Sequence, residues 1–206
     1  MVSTRLLDAA IDQFGRQGFE GASTREIARA SGTAMSSITY HFGGKEGLYL
    51  AAAEHIAQCI AQVQGPVVAS AREAGLASRE AAVEAILTAL DSFALMMLHP
   101  QSEAWARFIM REQQEPTEAF ERLYKGVMAP VSGMFIELVA TARPDLPDAE
   151  VRATSILLFG QAMILRAGRA TVTRVLGVDR LDEASGTLLR NRLRANALCI
   201  LSEKTG

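Results

Sequence analysis

Residues 23–45 read STREIARASGTAMSSITYHFGGK, two short helical segments joined by a glycine turn, with a lysine just past the second. Ser23 and Glu26 stand in the S-x-x-E order of a capping box, in which each side chain accepts from the other residue's amide, so a helix is expected from Thr24. Ile27 and Ala28 supply its buried side. Ser31-Gly32 ends it, because glycine takes at little cost the positive φ that terminates a helix. The turn occupies Gly32 to Ala34. Beyond it Met35, Ile38 and Phe42 recur at spacings of three and four and share one face, leaving Ser36, Ser37, Tyr40 and His41 on the other. That outer face is polar yet uncharged. A merely solvated helix would carry Lys and Glu there, whereas hydroxyl, phenol and imidazole groups can bond base edges and phosphates. Gly43-Gly44 then breaks the helix, and Lys45 opens the next, placing an ammonium and free amides where a phosphate would be held. The layout is that of a DNA-reading helix-turn-helix, although glycine turns also join ordinary helical hairpins.

The wider sequence decides between these. Residues 4–50 resemble the DNA-binding domain of the TetR family of bacterial transcriptional regulators across its three helices and the start of the fourth. Ala10, Phe14, Gly18 and Phe19 in LLDAAIDQFGRQGFEGAS resemble the family's first helix and its Gly-aromatic exit. Thr24-x-x-Ile27-Ala28 resembles its second helix, Gly32 its turn, and Tyr40-His41-Phe42-x-x-Lys45-Glu46-x-Leu48 its third helix and the entry to the fourth. The resemblance implies double-stranded operator DNA as a partner. It also implies DNA contacts at Thr24, Arg25, Ser36, Ser37, Thr39, Tyr40, His41 and Lys45. Two departures stand out: Thr39 replaces a usual tyrosine, and Thr33-Ala34 replaces a more usual Val-Ser, removing the expected capping hydroxyl.

Net charge constrains how such a head could bind. The chain carries −2 overall, and in residues 1–50 Arg5, Arg16, Arg25, Arg29 and Lys45 offset Asp8, Asp12, Glu20, Glu26 and Glu46. A neutral domain cannot bind DNA by its field alone, so the charges must be segregated, with Arg25 and Lys45 toward DNA and the acids of the first helix away from it. With 206 residues, 49% hydrophobic and 21% charged, the chain reads as soluble and globular, with two domains expected at 1–47 and 48–206. No apolar run reaches the roughly eighteen residues of a membrane span, and MVSTRLLDAA lacks the features of a secretory signal. A cytoplasmic protein with no membrane partner is expected. Its two cysteines, Cys59 and Cys199, are then expected as reduced core thiols.

Past Lys45 helical periodicity prevails, with breaks expected at Gly65-Pro66, Gly75 to Ser78, His99-Pro100, Glu115-Pro116, Arg143 to Pro147 and Leu176 to Asp182. The expected class is all-α, about nine helices, with a three-helix N-terminal head and a larger C-terminal domain. The fourth helix should run from Lys45 to about Gln64. Flexible or flat apolar residues in the larger domain, Phe93, Met97, Trp105, Phe108, Met128 and Phe135 among them, line adaptable pockets in some proteins and fill cores in more. Polar groups set among them include Gln161 and Arg166, with Arg107 expected to pair with Glu103 and Arg111 with Glu115. These eight candidates, from Phe93 to Arg166 without Arg107 and Arg111, form the expected effector site.

The resemblance further implies a homodimer formed by the last two helices, expected near 148–172 and 182–202. Ala153, Ile156, Leu157, Gly160, Ile164 and Ala167 form one stripe, and Leu188, Leu189, Leu193, Ala197 and Ile200 another. Either stripe could instead close the monomer's own core. The segment REQQEPTEAFERLYKGVMAP, residues 111–130, resembles the CecR-like subgroup, which implies a small-molecule effector. An enzyme finds little support: His41, His55 and His99 are scattered, and no HExxH, GxSxG or P-loop occurs. No catalytic residue, metal site or cofactor is expected. The alternative reading is a helical small-molecule-binding dimer without DNA recognition.

Overall fold

A computed structural model describes residues 4–202. Residues 1–3 and 203–206, which the expected domain ranges include and on which the reading of the N-terminus partly rests, lie outside the described residues. The chain is all-α among the described residues, as expected. It runs α1 (Thr4–Gly21), α2 (Thr24–Ser31), α3 (Met35–Phe42), α4 (Lys45–Gly75), α5 (Arg79–Leu98) and α6 (Ser102–Gln114). There follow α7 (Glu118–Leu123), a π-helical turn at Tyr124–Met128, α8 (Ala129–Ala142), α9 (Asp148–Ala167), α10 (Arg169–Leu176) and α11 (Glu183–Ser202). By contacts the chain forms two compact units, residues 1–62 with 103–128, and residues 63–102 with 129–206. This is a different matter from the functional division at residue 47, which rests on sequence alone.

In the first unit Leu6, Ile11 and Phe14 of α1, Ile27 of α2, Ile38 of α3, and Leu48 and Ile56 of α4 are buried together with Phe108 of α6. Phe14 meets Tyr49 edge-on with ring centroids 4.8 Å apart, and Tyr49 stacks on Phe108 at 4.6 Å. A Cβ on Gly15 would lie 3.1 Å from Arg107 Cβ and 3.3 Å from the Phe108 amide nitrogen, so glycine lets α1 approach α6 closely. Polar bonds reinforce the contact. Arg107 pairs with Glu103 as expected and also with Asp12 at 2.8 Å.

Arg111 departs from the expected pairing with Glu115. It donates instead to the carbonyls of Gly15 and Arg16, each at 3.0 Å. The reason is Gly18, whose φ of 75° takes it out of the helical region and leaves the carbonyls of the preceding turn in want of donors. Next to it Glu112 is almost wholly buried. Its carboxylate accepts from the Tyr49 hydroxyl, the Thr117 amide at 3.0 Å and the Thr117 hydroxyl at 2.9 Å, tying α4 to the start of α7. Burial first, then the Glu112 carboxylate, holds the Tyr49 phenol well above its usual pKa.

The second unit is built around α5, which packs against α8, α9 and α11. Phe93 stacks on Phe159 at 4.3 Å, and Phe135 lies 6.0 Å from the same ring. Arg190–Asp91 and Arg194–Glu84 pairs staple α11 to α5. Asp182 caps α11, accepting from the Ser185 amide and hydroxyl, and these bonds hold its carboxyl below the usual range.

Two expectations about helix ends are corrected. The fourth helix does not stop near Gln64 but continues through Pro66 to Gly75. A proline inside a helix costs roughly 3 kcal/mol, and the packing on its far side offsets this. Gln64, 4% exposed, donates to Ser92, and Gly75 is wedged so tightly that a Cβ would come within 2.8 Å of Ala85 Cβ. The helix expected over 148–172 is divided at Gly168 into α9 and α10. The run from Glu118 to Ala142 is one helical rod with a π turn inside it, a distortion with no periodicity signal. By length and composition alone, that rod and α5 each pass for helices able to cross a membrane. Half of the apolar window of α5 is buried inside the protein.

Candidate nucleic-acid interface and ligand groove

The helix-turn-helix lies where the sequence places it, but its capping differs. Ser23 holds the N-cap position of α2 without a side-chain capping bond, so the expected capping box does not form. Ser31 closes the other end by donating to the carbonyls of Ile27 and Ala28, and Gly32 takes φ 67°. Ala34 starts α3 with no side-chain cap, as its missing hydroxyl requires. On α3 only Ile38 is fully buried and Phe42 is half-buried; Met35, expected on the inner face, is 49% exposed because it stands in the first turn, beyond the reach of the core.

The opposite face is open. Tyr40 is 84% exposed, its ring edge-on to His41 at 4.9 Å, and Ser36, Thr39 and His41 are exposed with it. Ser37 and Thr24 are half-buried, and Arg25 is exposed. Gly43 and Gly44 turn the chain at φ 72° and 131°. Lys45 then donates from Nζ to the Glu20 carbonyl at 3.0 Å and lies 4.9 Å from the centre of the Phe19 ring. Its ammonium therefore fastens the end of α1 to the start of α4, a use the sequence did not suggest.

The electrostatics of the head are sorted by partner. Asp12 sits between Arg16 and Arg107, and Asp8 lies 3.6 Å from His55 Nε2. Arg25 and Arg29 are exposed and make no ion pair among the described residues. Asp8 and Asp12 of α1 thus have basic partners within the protein, while Arg25 and Arg29 of α2 face outward.

The eight residues expected at an effector site are divided between the two units. Trp105 and Phe108 are buried and, with Met128, belong to the first unit, where Phe108 is core to the reading head and Met128 accepts from Gln113. Phe93, Met97, Phe135, Gln161 and Arg166 belong to the second, where Phe93 and Phe135 meet the Phe159 ring. Gln161 accepts from Asn196. Arg166 is 7% exposed and donates to the carbonyls of Met97 and His99, closing the end of α5, because a helix C-terminus supplies acceptors without any acid. An open groove of about 480 Å³ lies elsewhere in this unit, between α4 and α5, lined by Pro66, Val67, Ser70, Ala71, Ala74, Ala81, Glu84, Ala85 and Thr88. Its lining is mostly of small residues, which carry no pattern of bulky apolar groups.

On α9 every member of the expected stripe, Ala153, Ile156, Leu157, Gly160, Ile164 and Ala167, is exposed. The α11 stripe is corrected: Leu193 and Ala197 are buried in the chain's own core, and Leu188, Leu198 and Cys199 face outward. Cys199 is thus an exposed thiol, not a core one, and Cys59 is half-buried beside His55 at 3.6 Å. No group of three His, Cys, Asp or Glu side chains among the described residues could hold a metal ion.

Residues 6–52 match the family described as bacterial regulatory proteins, tetR family, and residues 82–203 match the C-terminal domain of the HTH-type transcriptional dual regulator CecR. Over 201 residues the chain is 31% identical to the HTH-type transcriptional dual regulator CecR of Shigella flexneri, spanning 96% of this chain and 90% of that protein. Among solved structures, the transcriptional regulator FadR of Bacillus subtilis in complex with stearoyl-CoA is similar at a TM-score of 0.65 and 14% identity, over 98% of both chains. AibR in complex with isovaleryl coenzyme A and operator DNA is similar at 0.65 and 13%, over 95% of both. At such identities the likeness to these structures is one of fold.

Proposed function

The chain belongs to the TetR family of bacterial regulatory proteins, with a CecR-type C-terminal domain, and from that premise we propose that this DNA-binding regulator is a homodimeric, cytoplasmic repressor that leaves its operator when a small molecule binds. The observation that carries the reading is the outward face of α3, where Tyr40 and His41 stand free of the core. Residues 1–47 act as the reading head and residues 48–206 as the effector-binding and dimerisation part. Phosphate and base contacts fall to Thr24, Arg25, Ser36, Ser37, Thr39, Tyr40, His41 and Lys45. An ammonium has three N–H donors, so Lys45 can hold the Glu20 carbonyl and a phosphate together.

Two reading helices about 34 to 36 Å apart would enter successive major grooves of a pseudo-palindromic operator. The exposed α9 stripe supports the pairing of two copies. An effector that binds better to a conformation with the heads wrongly spaced lowers DNA affinity by linkage. The α-helical bundle in this reading binds its small molecule without transforming it.

The test is a gel shift on the protein's own upstream intergenic region, with and without excess random DNA. Specific retention is expected. Tyr40→Ala and Lys45→Ala should each weaken it by about tenfold, the effect of losing one good base or phosphate contact; unchanged affinity in both variants would sink the assignment. Salt gives a second check. If each head neutralises two or three phosphates through Arg25, Arg29 and Lys45, affinity should fall as roughly the fourth to fifth power of salt concentration. Equal, salt-insensitive affinity for operator and random DNA would refute this.

One observation favours the second reading, a ligand-binding dimer without DNA recognition: the Lys45 ammonium is already engaged by α1. That reading predicts effector binding with no retention of promoter DNA even at low salt.

A further inference from the structure

The α4–α5 groove has a chemistry of its own. Ala71 and Ala74 from α4 and Ala81 and Ala85 from α5 give it a floor of methyl groups, which leaves room where larger side chains would fill the space between the helices. A floor of methyl groups suits an apolar molecule, and a volume of about 480 Å³ lies in the range of small-molecule sites. Its polar groups are the Ser70 and Thr88 hydroxyls and a single charged side chain, the carboxylate of Glu84. No lysine or arginine lines it.

Glu84 is exposed, and its present partner is Arg194 of α11 at 3.1 Å, itself about half exposed. Such an exposed pair contributes little to stability, so an arginine on its long flexible stem can swing away at small cost. A cation delivered with apolar surface attached would gain both the carboxylate and the methyl floor. With Glu84 as the single charged side chain in its lining, the groove favours a cation over the phosphates of a coenzyme A thioester once Arg194 has swung away.

We propose that the α4–α5 groove binds an apolar organic cation, with Glu84 as its counter-ion in place of Arg194. The proposal names the effector class and so rests on the reading of the protein as a ligand-responsive regulator, but its test needs no DNA.

The experiment is calorimetric titration of the full-length protein with thioflavin T, a planar benzothiazolium cation, and with its uncharged parent lacking the ring N-methyl group. The cation should bind at least about tenfold more tightly than the neutral molecule, the scale of one charge-assisted contact. Glu84→Gln should erase that difference, Arg194→Ala should tighten cation binding, and Ala74→Phe should abolish binding of both by filling the groove. Glu84, Arg194 and Ala74 are all exposed, and an unchanged melting temperature confirms that each variant is folded. Equal affinity for cation and neutral parent, or cation binding indifferent to both Glu84→Gln and Ala74→Phe, overturns the proposal. A gel shift on the same samples separates the two readings: cation binding without DNA retention removes the regulator alone, and operator retention without cation binding removes the groove alone.

Discussion

Leu157→Glu is expected to convert the protein to monomers in sedimentation velocity and to weaken operator binding by about a hundredfold or more. Leu157 is 67% exposed, with Ile156 at 59% and Ile164 at 51% on the same face of α9, and the small residues Ala153, Gly160 and Ala167 between them would let a second helix come near. A symmetric interface contains the substitution twice. Burying two carboxylates in apolar surface without partners costs several kcal/mol, and each 1.4 kcal/mol is a factor of about ten in affinity. Because the side chain stands outside the chain's own core, melting of the isolated subunit should barely change. A variant that sediments as a dimer at micromolar concentration would show that pairing uses another surface.

Glu112→Ala is expected to lower stability by about 2–4 kcal/mol and the melting temperature by about 5–15 °C for a chain of this size. The carboxylate satisfies three donors at once, the Tyr49 hydroxyl and the Thr117 amide and hydroxyl. Alanine leaves all three unpaired in a buried place. Glu112→Gln keeps acceptor oxygen there and should lose less than half as much. Calorimetric melting of the two variants distinguishes these outcomes, and equal losses would mean that the bonds contribute little beyond packing.

Tyr49 adds a dependence on pH. Its phenol is held above the usual value of 10.0, so the folded state resists the phenolate more than the unfolded chain does. The stability that this lends is complete below about pH 10 and drains away as pH rises above it. Tyr49→Phe should therefore show a shallower alkaline fall in melting temperature than the parent protein, after allowance for its lost hydrogen bond.

The reading head was legible because its signals are local. Gly32, Gly43 and Gly44 take the positive φ that the turns require, Ile38 is buried as its spacing demands, and α2 and α3 begin and end at the expected residues. What was lost lies in tertiary context. Nothing near Arg111 announces that its partners are carbonyls of residues 15 and 16, since the need of those acceptors arises from Gly18, far from Arg111 along the chain. Arg166 had no acid at helical spacing, and it donates to backbone oxygens at the end of α5. Capping is read from side chains, so an arginine that serves this purpose at long range has no pattern. Pro66 signalled a break that neighbouring burial overrode. Phe93, Trp105, Phe108 and Phe135 are buried, and the open groove between α4 and α5 is lined largely by alanines.

The placement of Phe108 has a consequence for how the polypeptide is made. The core of the reading head includes that ring, and its first helix is held by Arg107 and Arg111. During synthesis residues 4–50 leave the ribosome long before these arrive, so the head must wait, incompletely closed, until some sixty further residues have emerged. At the usual rate of about 5–20 residues per second, that interval lasts roughly three to twelve seconds, and Phe14 and Tyr49 are without their last aromatic neighbour throughout it. A fragment cut at residue 50 would remain permanently in that state, and pulse proteolysis of stalled nascent chains should show protection of α1 appearing only once α6 is outside the exit tunnel.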